Sequence, residues 1–586
     1  MKKIPPISNI RKIWSLLLPR ERHNSIILFF LMLIGVGLET LGVGLVIPAL
    51  SLFTQKNFAA KYPILLPFLN FFGNPDQHAL IVGGLLLLLG VYILKAVFLV
   101  FLVWKQNRFT FGIGARLSLR LFTIYLRQPY VFHLQRNSAQ LIRNVSNEVG
   151  IFTGSVLTPL MQLFSESLIV VGLCLMLLLA EPIGTISIVC VLGISSWSFF
   201  HFTEGRITRW GKDRQHHDGL RIQHLQQGLA GAKDVKLLGR ENEFLKQFNI
   251  HNSESTKVGR LNNTIQQLPR IWLELLAVCG LVALVLVMLA QGGALETIIP
   301  KLGLFAVVTF RLMPSVSRLL NVMQSLKYCL PVIDILEKDL ILFAPDNVEQ
   351  KFIQSTFHNS IDLQHITYTY PEVSLPSLKD ISLSITCGES VGFIGTSGAG
   401  KSTLVDILLG LLPPDHGVVS VDGRDIQQNL RDWQNQIGYV PQSIYLTDDT
   451  LLRNIAFGLP SEQINQKSVL NAIRAAHLDD FIQSLPEGLG TVVGERGVRL
   501  SGGQRQRIGI ARALYHDPSV LVLDEATSAL DTATEKGVME AVRELQGSKT
   551  IIIVAHRLST IEHCDRLYRL ENGEITSYGT PDKILY

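Results

Sequence analysis

Charged side chains are scarce in this sequence. Asp, Glu, Lys and Arg make up 17% of its 586 residues, while hydrophobic residues make up 47%. Soluble domains carry about 25% charged residues, so this composition predicts a membrane part joined to a soluble part. The length predicts two to four domains. The net charge of +5 is modest, and no nucleic-acid partner is expected.

Cysteines are also few and show no metal-binding pattern. None of the six lies in a C-x-x-C or similar spacing, so the sequence offers no cysteine-based metal site. Cys174, Cys190 and Cys279 fall in apolar segments, where we expect buried free thiols. The first apolar run is too long for the core of a secretion signal, and no cleavable signal is predicted.

Apolar segments are concentrated in the first half of the chain. Six of them are long enough to cross a bilayer core of about 30 Å at 1.5 Å per residue. The predicted spans are 25–53, 79–104, 156–179, 183–202, 271–290 and 302–323.

The charge of the connecting loops predicts the orientation of these spans. Seven Lys and Arg residues separate spans two and three, and twelve separate spans four and five. The connections on the other side are short or poor in positive charge. The positive-inside rule therefore places both termini and both long loops in the cytoplasm. The chain is expected to be a multi-pass protein of the plasma (inner) membrane. RNA binding would also explain basic loops, but their alternation with apolar spans disfavours it.

Ionisable residues interrupt several predicted spans. Glu39, Lys95, Glu166, Glu274 and Arg311 all lie inside apolar segments, where an unpaired charge is costly. Pairing between spans and contact with a substrate are both open explanations. Arg311 is the strongest candidate for an anionic substrate because a guanidinium suits phosphate recognition.

A phosphate-binding loop organises the second half. It has the pattern G-x-x-x-x-G-K-[ST], follows an apolar strand and precedes a helical segment. Glycines let backbone N–H groups converge on a nucleotide phosphate, and the following helix adds its positive end. Lys401 is expected to reach the β- and γ-phosphates, and Ser402 to bind Mg²⁺. The loop residues are Gly395, Thr396, Ser397, Gly398, Ala399, Gly400, Lys401, Ser402 and Thr403.

Two later apolar strands end in residues suited to phosphate chemistry. Asp524 can hold Mg²⁺, and the adjacent Glu525 can orient an attacking water. His556 follows the second strand and could contact the γ-phosphate. Hydropathy falls after residue 327, which predicts a transmembrane domain at 1–330, a linker at 331–354 and a nucleotide-binding domain at 355–586.

The segment Leu500-Ser-Gly-Gly-Gln504 matches the signature motif of ATP-binding cassette (ABC) transporters, and the whole chain resembles an ABC exporter half-transporter. The resemblance implies a six-span α-helical transmembrane domain followed by an α/β P-loop ATPase domain that uses ATP and Mg²⁺. It further implies a dimer, with each ATP held between one phosphate loop and the partner's signature motif. An intact site set permits a homodimer and leaves a heterodimer open.

The same resemblance assigns roles to further residues. Tyr370 would stack on adenine, Gln442 would link Mg²⁺ and the water to the membrane part, and His556 would be the switch histidine. The remaining nucleotide contacts would come from Ser501, Gly502, Gly503, Gln504 and Asp531. Coupling segments are expected near 130–141 and 230–244.

Motifs in the spans are similar to those of bacterial lipid-linked oligosaccharide flippases. They include Gly37-Leu-Glu39, Leu268-Pro-Arg270 and Phe310-Arg311 with Pro314. That resemblance implies translocation of a polyprenyl-pyrophosphate-linked oligosaccharide, with Arg311, Arg270 and Glu39 as candidate substrate residues. An exporter of lipid, drug or peptide is the alternative, and a non-transporting membrane ATPase is a further one.

Overall fold

A computed structural model describes most of the chain. The described residues are 6–54, 77–180, 182–290, 295–342, 357–371, 373–526, 532–555 and 557–585. They form two compact units: Met1–Gln128 with Arg136–Pro345, and Pro129–Gln135 with Asp346–Tyr586. We call these the helical unit and the ATPase-domain unit. The domain limits 1–330 and 355–586 remain a prediction.

The helical unit consists of long helices joined by short turns. Its elements are α1 (Pro6–Leu16), α2 (Pro19–Thr54), α3 (Gln77–Arg127), α5 (Ser138–Arg143), α6 (Val149–Phe152), α7 (Thr158–Ala180), α8 (Pro182–Ala230), α9 (Ala232–Leu237), α10 (Glu241–Ala290), α11 (Leu295–Tyr328) and α12 (Leu330–Ile341). Helix α4 (Tyr130–Gln135) belongs to the ATPase-domain unit. Two π-helical stretches, Asn144–Glu148 and Thr153–Leu157, flank α6.

All six predicted spans lie within helices of this unit. In the described residues three helices are long and apolar enough to cross a membrane, and a bent pair raises the number to four. The three are Pro19–Gly42, Ile81–Arg127 and Ser138–Leu175, and the bent pair is Leu312–Tyr328 with Leu330–Ile341. The count of six spans therefore remains a prediction. The segment expected as a linker begins with the helix α12, and residues 343–354 lie outside the described part.

The helices pack closely where small side chains permit it. Leu173, Leu192, Leu273 and Leu312 form a buried cluster that joins α7, α8, α10 and α11. Gly211 of α8 lies against the end of α11, where a Cβ atom would be only 2.1 Å from the carbonyl oxygen of Tyr328. No residue other than glycine fits there without displacing the backbone.

A buried polar network joins α12 to the first long loop. Asp339 Oδ2 accepts hydrogen bonds of 2.5 Å from Tyr125 Oη and 2.8 Å from Asn144 Nδ2. Arg136 Nη1 donates to Asp339 Oδ1 at 3.1 Å. A buried carboxylate is tolerated only when it is paired and hydrogen-bonded, and this one is.

The free-cysteine prediction is confirmed for all six residues, but their expected burial is only partly correct. Cys174 is half-buried, whereas Cys190 and Cys279 are exposed on the isolated chain. Their helices turn these side chains away from the helical core, and an apolar span does not bury every residue within protein.

The ATPase-domain unit contains two sheets. The first has the order β2-β1-β4-β5 and is antiparallel, and the second has the order β10-β9-β3-β8-β7-β6. The strands are β1 (Ser360–Tyr368), β2 (Leu378–Thr386), β3 (Ser390–Gly395), β4 (His416–Val421), β5 (Arg424–Asp425), β6 (Ile437–Val440), β7 (Val520–Asp524), β8 (Thr550–Val554), β9 (Arg566–Glu571) and β10 (Glu574–Gly579).

The other helices of this unit lie between and after these strands along the chain. They are α13 (Lys401–Leu408), α14 (Leu430–Asn435), α15 (Leu451–Ile455), α16 (Gln466–Ala475), α17 (Asp479–Ser484), α18 (Gly502–Leu514), α19 (Thr532–Arg543), α20 (Leu558–Ile561) and α21 (Pro581–Leu585). Strands β7 and β8 are buried along their whole length, as expected for central parallel strands covered on both faces. Strands β9, β3, β8, β7 and β6 run parallel to one another, so their carboxyl ends share one edge.

Candidate active site

The parallel strands deliver the predicted catalytic residues to one edge of the sheet. The phosphate loop follows β3, Gln442 follows β6, Asp524 ends β7 and Glu525 follows it directly. Ligands of open α/β sheets bind outside the carboxyl ends of the strands, so the topology alone places a site here.

A cavity of about 760 Å³ opens at this edge. Its volume falls within the range of about 300–1,000 Å³ that is typical of small-molecule sites. The lining residues are Tyr370, Leu375, Pro376, Ser377, Lys379, Ser397, Gly398, Gly400, Lys401, Ser402, Thr403, Gln442, Glu525, Asn572 and Gly573.

The phosphate loop is held open by its backbone conformation. Gly400 has φ +100°, and a Cβ there would lie 2.8 Å from the carbonyl oxygen of Ser377. Lys401 is buried, and its Nζ donates hydrogen bonds of 3.0 Å to the carbonyl oxygens of Gly395 and Thr396. The side chain therefore curls back onto its own loop.

The electrostatics of Lys401 fit an anion site. Burial lowers the pKa of its ammonium group, and the nearby carboxylates of Glu525 and Asp524 oppose that shift. A desolvated cation without a close ion pair gains most from an arriving negative charge.

The carboxylate of Asp524 has one oxygen available to bind a metal ion. Its Oδ2 accepts a hydrogen bond of 3.4 Å from Tyr439 Oη, whereas Oδ1 is buried and has no hydrogen-bond partner in the described part of the chain. Burial, with a contribution from Glu525, raises the pKa of Asp524. A buried, unsatisfied oxygen next to a phosphate loop fits a hard cation such as Mg²⁺, with the exposed hydroxyl of Ser402 as the second ligand.

Glu525 is held in a strained backbone conformation with φ +47°. Its N–H donates to the carbonyl oxygen of Val554 at 2.9 Å, and its Oε2 accepts a 2.7 Å hydrogen bond from Gln442 Nε2. A non-glycine residue persists in the left-handed region only where its surroundings hold it, and such residues cluster at functional sites.

The structure does not gather every predicted nucleotide contact at this cavity. Ser501 caps α18, and its Oγ accepts from Gln504 N at 3.2 Å while Ser501 N donates to Gln504 Oε1 at 2.8 Å. Ser501, Gly502, Gly503 and Gln504 do not line the cavity. Asp531 and His556 lie outside the described residues.

Tyr370 lies at the cavity, as predicted, and shares a 3.2 Å hydrogen bond with Thr403 Oγ1. Sequence reasoning missed Lys379, Asn572 and Gly573, which also line it. Lys379 N donates to the carbonyl oxygen of Gly573 at 2.8 Å, which brings the start of β2 next to the β9–β10 turn. No local motif marks such a contact between distant segments.

The candidate substrate residues belong to the helical unit. Glu39 Oε1 is 4.0 Å from Lys95 Nζ, which favours the pairing explanation for both. Arg270 is exposed on α10. Position 311 is in α11, but its side chain lies outside the described part. A residue that the sequence did not single out, Arg318, places its Nε 2.7 Å from Glu166 Oε1.

The sheet topology, the phosphate loop and the carboxylate pair define a P-loop ATPase. The family profile described as ABC transporter matches residues 378–528, and that described as ABC transporter transmembrane region matches residues 22–309. The chain belongs to the ABC transporter family and has the exporter arrangement, with the membrane region before the ATPase domain. It is an ATP-hydrolysing translocase, and the predicted fold class is confirmed.

Similar proteins extend over nearly the whole chain. The ATP-dependent lipid A-core flippase of Escherichia coli (strain K12) is 29% identical over 565 residues, which are 94% of this chain and 93% of that protein. The flippase of the same description from Cupriavidus pinatubonensis (strain JMP 134 / LMG 1197) is 29% identical over 480 residues, 80% of each chain. A bacterial Atm1-family ABC exporter with ATP bound matches the fold, with a TM-score of 0.77, 22% identity and coverage of 96% of both chains.

Proposed function

We propose that this chain is one half of an ATP-driven flippase that moves a polyprenyl-pyrophosphate-linked oligosaccharide across the inner membrane. The observation that carries the cargo class is Arg318. Its side chain is more than half exposed, although its Nε is anchored to the largely buried Glu166. Its Nη2 also donates to Ser315 Oγ, at a long distance of 3.5 Å. Nη1 and the remaining N–H of Nη2 are left to donate to a phosphate, which suits a cargo that carries one.

Helical periodicity adds Arg311 to this proposal. Position 311 precedes position 318 by two turns of α11, and residues seven apart lie on the same face of a helix. Two arginines on one face would match a pyrophosphate better than one. Arg270 of α10 is a third candidate because it is exposed, whereas Glu39, paired with Lys95, is a structural element in this proposal.

The hydrolytic step rests on the residues at the sheet edge. Lys401 binds the β- and γ-phosphates, and Tyr370 offers an aromatic face to the base. Mg²⁺, held by Ser402 and Asp524 with Gln442 nearby, would neutralise charge on those phosphates when bound. Glu525, oriented by Gln442, accepts a proton from the attacking water. His556 and Asp531 complete the set by the resemblance to the family.

ABC exporter half-transporters are dimeric, and we propose a homodimer. The signature residues 501–504 do not line the cavity of their own chain, which supports their use by a partner copy. Glu525 is present, so both sites of a homodimer would hydrolyse ATP. Nucleotide-dependent closure would drive the spans only to the extent that ATP binds the closed state more tightly than the open one. Both termini would lie in the cytoplasm.

A flipping assay in liposomes tests the cargo. Purified protein is reconstituted with a fluorescent polyprenyl-pyrophosphate sugar, and its movement between leaflets is followed with and without ATP. We expect ATP-dependent movement that is lost in Glu525→Gln. Arg318→Ala should lower the rate about tenfold or more, because a charge-assisted contact to phosphate is lost. Lys327→Ala is the matched control, since Lys327 is also on α11 and also pairs with a glutamate.

A second cargo is favoured by the relatives, which are named for a lipid A-core cargo. The same liposomes are therefore loaded with a fluorescent lipid A-core glycolipid in a parallel experiment. If only the lipid A-core glycolipid moves, it is the cargo and the polyprenyl-linked oligosaccharide is not. If neither moves, other lipids, drugs or peptides are tested next. ATP hydrolysis without any cargo movement would support a non-transporting ATPase.

A further inference from the structure

Helix α3 extends far beyond the membrane that it is predicted to cross. It has 51 residues, which span about 76 Å at 1.5 Å per residue, whereas the bilayer core is about 30 Å thick. The predicted second span ends at Trp104, and residues 96–104 carry no charge. Lys105 and Arg108 are therefore the first charges that the helix presents at the cytoplasmic surface.

Exposed tryptophans mark the level of that surface. Trp104, Trp197 and Trp272 are all exposed, and each lies near the cytoplasmic end of a predicted span. Trp272 Nε1 donates a 2.8 Å hydrogen bond to Ser195 Oγ, so α8 and α10 lie side by side toward the cytoplasmic ends of spans four and five. Tryptophan is enriched at membrane–water interfaces, where its ring lies among the headgroups.

Aromatic rings hold the two cations in place on α3. Lys105 Nζ lies 5.5 Å from the ring centroid of Trp104 and 5.6 Å from that of Phe101. The guanidinium carbon of Arg108 lies 5.5 Å from the Trp104 ring. All three distances are within cation–π range. Within the described part of the chain neither cation forms an ion pair with a carboxylate, so both keep their charge available.

In the described part of the chain three of these four side chains are exposed, and Lys105 is half-buried. Residues 101, 104, 105 and 108 cover an arc of about 100° on a helix with 3.6 residues per turn. Leu102 points elsewhere and is buried, and it approaches Gly35 of α2 so closely that a Cβ there would lie 3.1 Å from it. Phe101 and Trp104 are both exposed.

We propose that Phe101, Trp104, Lys105 and Arg108 bind the headgroup of an acidic phospholipid of the cytoplasmic leaflet. The two cations attract the negatively charged phosphate, and the rings lie against the glycerol and upper acyl region. Juxtamembrane Lys and Arg residues each strengthen binding to acidic lipids, and an arginine can engage a phosphate through two N–H groups. This lipid is a resident ligand of the outer surface of α3 and is separate from the cargo.

Lipid binding is measured by native mass spectrometry of the full-length protein with phosphatidylglycerol and phosphatidylcholine. Wild type should retain phosphatidylglycerol in preference, and the preference should weaken as salt is raised. The double variant Lys105→Gln, Arg108→Gln should bind phosphatidylglycerol about tenfold more weakly. The control Arg120→Gln, Arg127→Gln removes the same charge from exposed sites farther along α3 and should change binding less than twofold.

Several outcomes would overturn the proposal. Equal binding of both lipids by wild type would do so without any variant, as would a preference that salt does not alter. Equal losses of phosphatidylglycerol binding in the two double variants would show that binding depends on the total positive charge of the helix and not on a site at Lys105 and Arg108. The same spectra report the oligomeric state, and dissociation of the dimer in Lys105→Gln, Arg108→Gln alone would make this face a contact between copies of the chain. Trp104→Leu, which keeps both charges, should give an intermediate loss.

Discussion

Gln442 Nε2 donates a 2.7 Å hydrogen bond to Glu525 Oε2. The two residues follow neighbouring strands, β6 and β7, and both line the cavity at the phosphate loop. The amide thereby fixes the carboxylate that is placed to accept a proton from water. It also connects that carboxylate to the segment that follows β6.

Glu525→Gln should slow ATP hydrolysis by about 10²–10⁴-fold, because a positioned general base contributes that much. ATP binding should persist, since Lys401 and the loop are unchanged. Phosphate release and nucleotide retention measure the two effects separately. Glu571→Gln is the matched control, because Glu571 also ends a parallel strand of the same sheet but does not line the cavity. Hydrolysis at the wild-type rate in Glu525→Gln would remove Glu525 from the mechanism.

Glu535 joins two segments that carry predicted site residues, the nucleotide contact Asp531 and the catalytic His556. Its carboxylate accepts hydrogen bonds from Ser559 Oγ at 2.9 Å and Thr560 Oγ1 at 3.1 Å, and it pairs with Arg557. Burial alone raises its pKa, but the bonds from Ser559, Arg557 and Thr560 outweigh that effect and lower it. Glu535 lies one turn into the helix that follows Asp531, and Arg557 follows His556 directly.

Glu535→Gln should therefore lower kcat for ATP hydrolysis about tenfold with little change in KM, because small misplacements of catalytic groups are costly. Glu535→Asp should restore part of the rate. Steady-state ATPase kinetics measure both, and Glu540→Gln, exposed on the same helix, is the control. A fall in thermal stability without any change in kcat would show that Glu535 is only structural.

Asp339 should be essential for the stability of the helical unit. Its side chain is 3% exposed and accepts bonds from three partners, so Asp339→Ala should cost about 3–5 kcal/mol, the usual result of breaking a buried ion pair. Asp334→Ala provides the control, because Asp334 is also on α12 and paired with Lys12 but is 59% exposed. Thermal unfolding in detergent compares them, and similar losses would contradict the assigned role.

Asp406 should make the ATPase domain less stable at neutral pH. Burial, with a contribution from Asp524, raises its pKa to about 6. The folded state then binds an extra proton between about pH 4 and pH 6, so stability falls as pH rises through that window. Above pH 6, Asp406→Asn should stabilise the domain by about 1–2 kcal/mol, allowing for partial exposure of the side chain. At pH 4 the gain should disappear.

Asp422 is the control for this titration, because its pKa is shifted in the opposite direction from that of Asp406. Its carboxylate is partly buried, which raises its pKa, but hydrogen bonds from the backbone N–H groups of His358, Asn359 and Ser360 lower it overall. Its stabilising contribution is present above about pH 4 and is lost as pH falls below that. Asp422→Asn should therefore destabilise at pH 7. Unfolding temperatures measured from pH 4 to pH 8 distinguish the two variants, and a stability change of the same sign in both at pH 7 would contradict the opposite pKa shifts of Asp406 and Asp422.

The sequence predicted those parts of the site that depend on contiguous residues. The phosphate loop is one segment, and Asp524 and Glu525 could be placed because a buried strand precedes them directly. Lys379 and Asn572 were missed because the cavity wall that they form joins segments almost 200 residues apart, and no periodicity encodes that contact.

In the membrane region the sequence showed which residues are charged but not which are paired. Glu39 and Lys95 are neighbours only because α2 packs against α3. Arg318 lies near the end of its predicted span, where a charged residue is common and does not indicate a site. Its ion pair with Glu166 of α7 nevertheless gives it a defined position. Hydropathy reports the environment of a whole segment, whereas these pairs depend on the rotation of each helix about its axis.

The close approach of Gly211 to Tyr328 has a mechanical consequence. With backbone against backbone, α8 and the end of α11 have no layer of side chains between them that could shear or slide. We therefore expect these two segments to move together at this contact during any change of conformation, so that bending takes place elsewhere in the helices. A side chain at position 211 would force the two backbones apart at this contact.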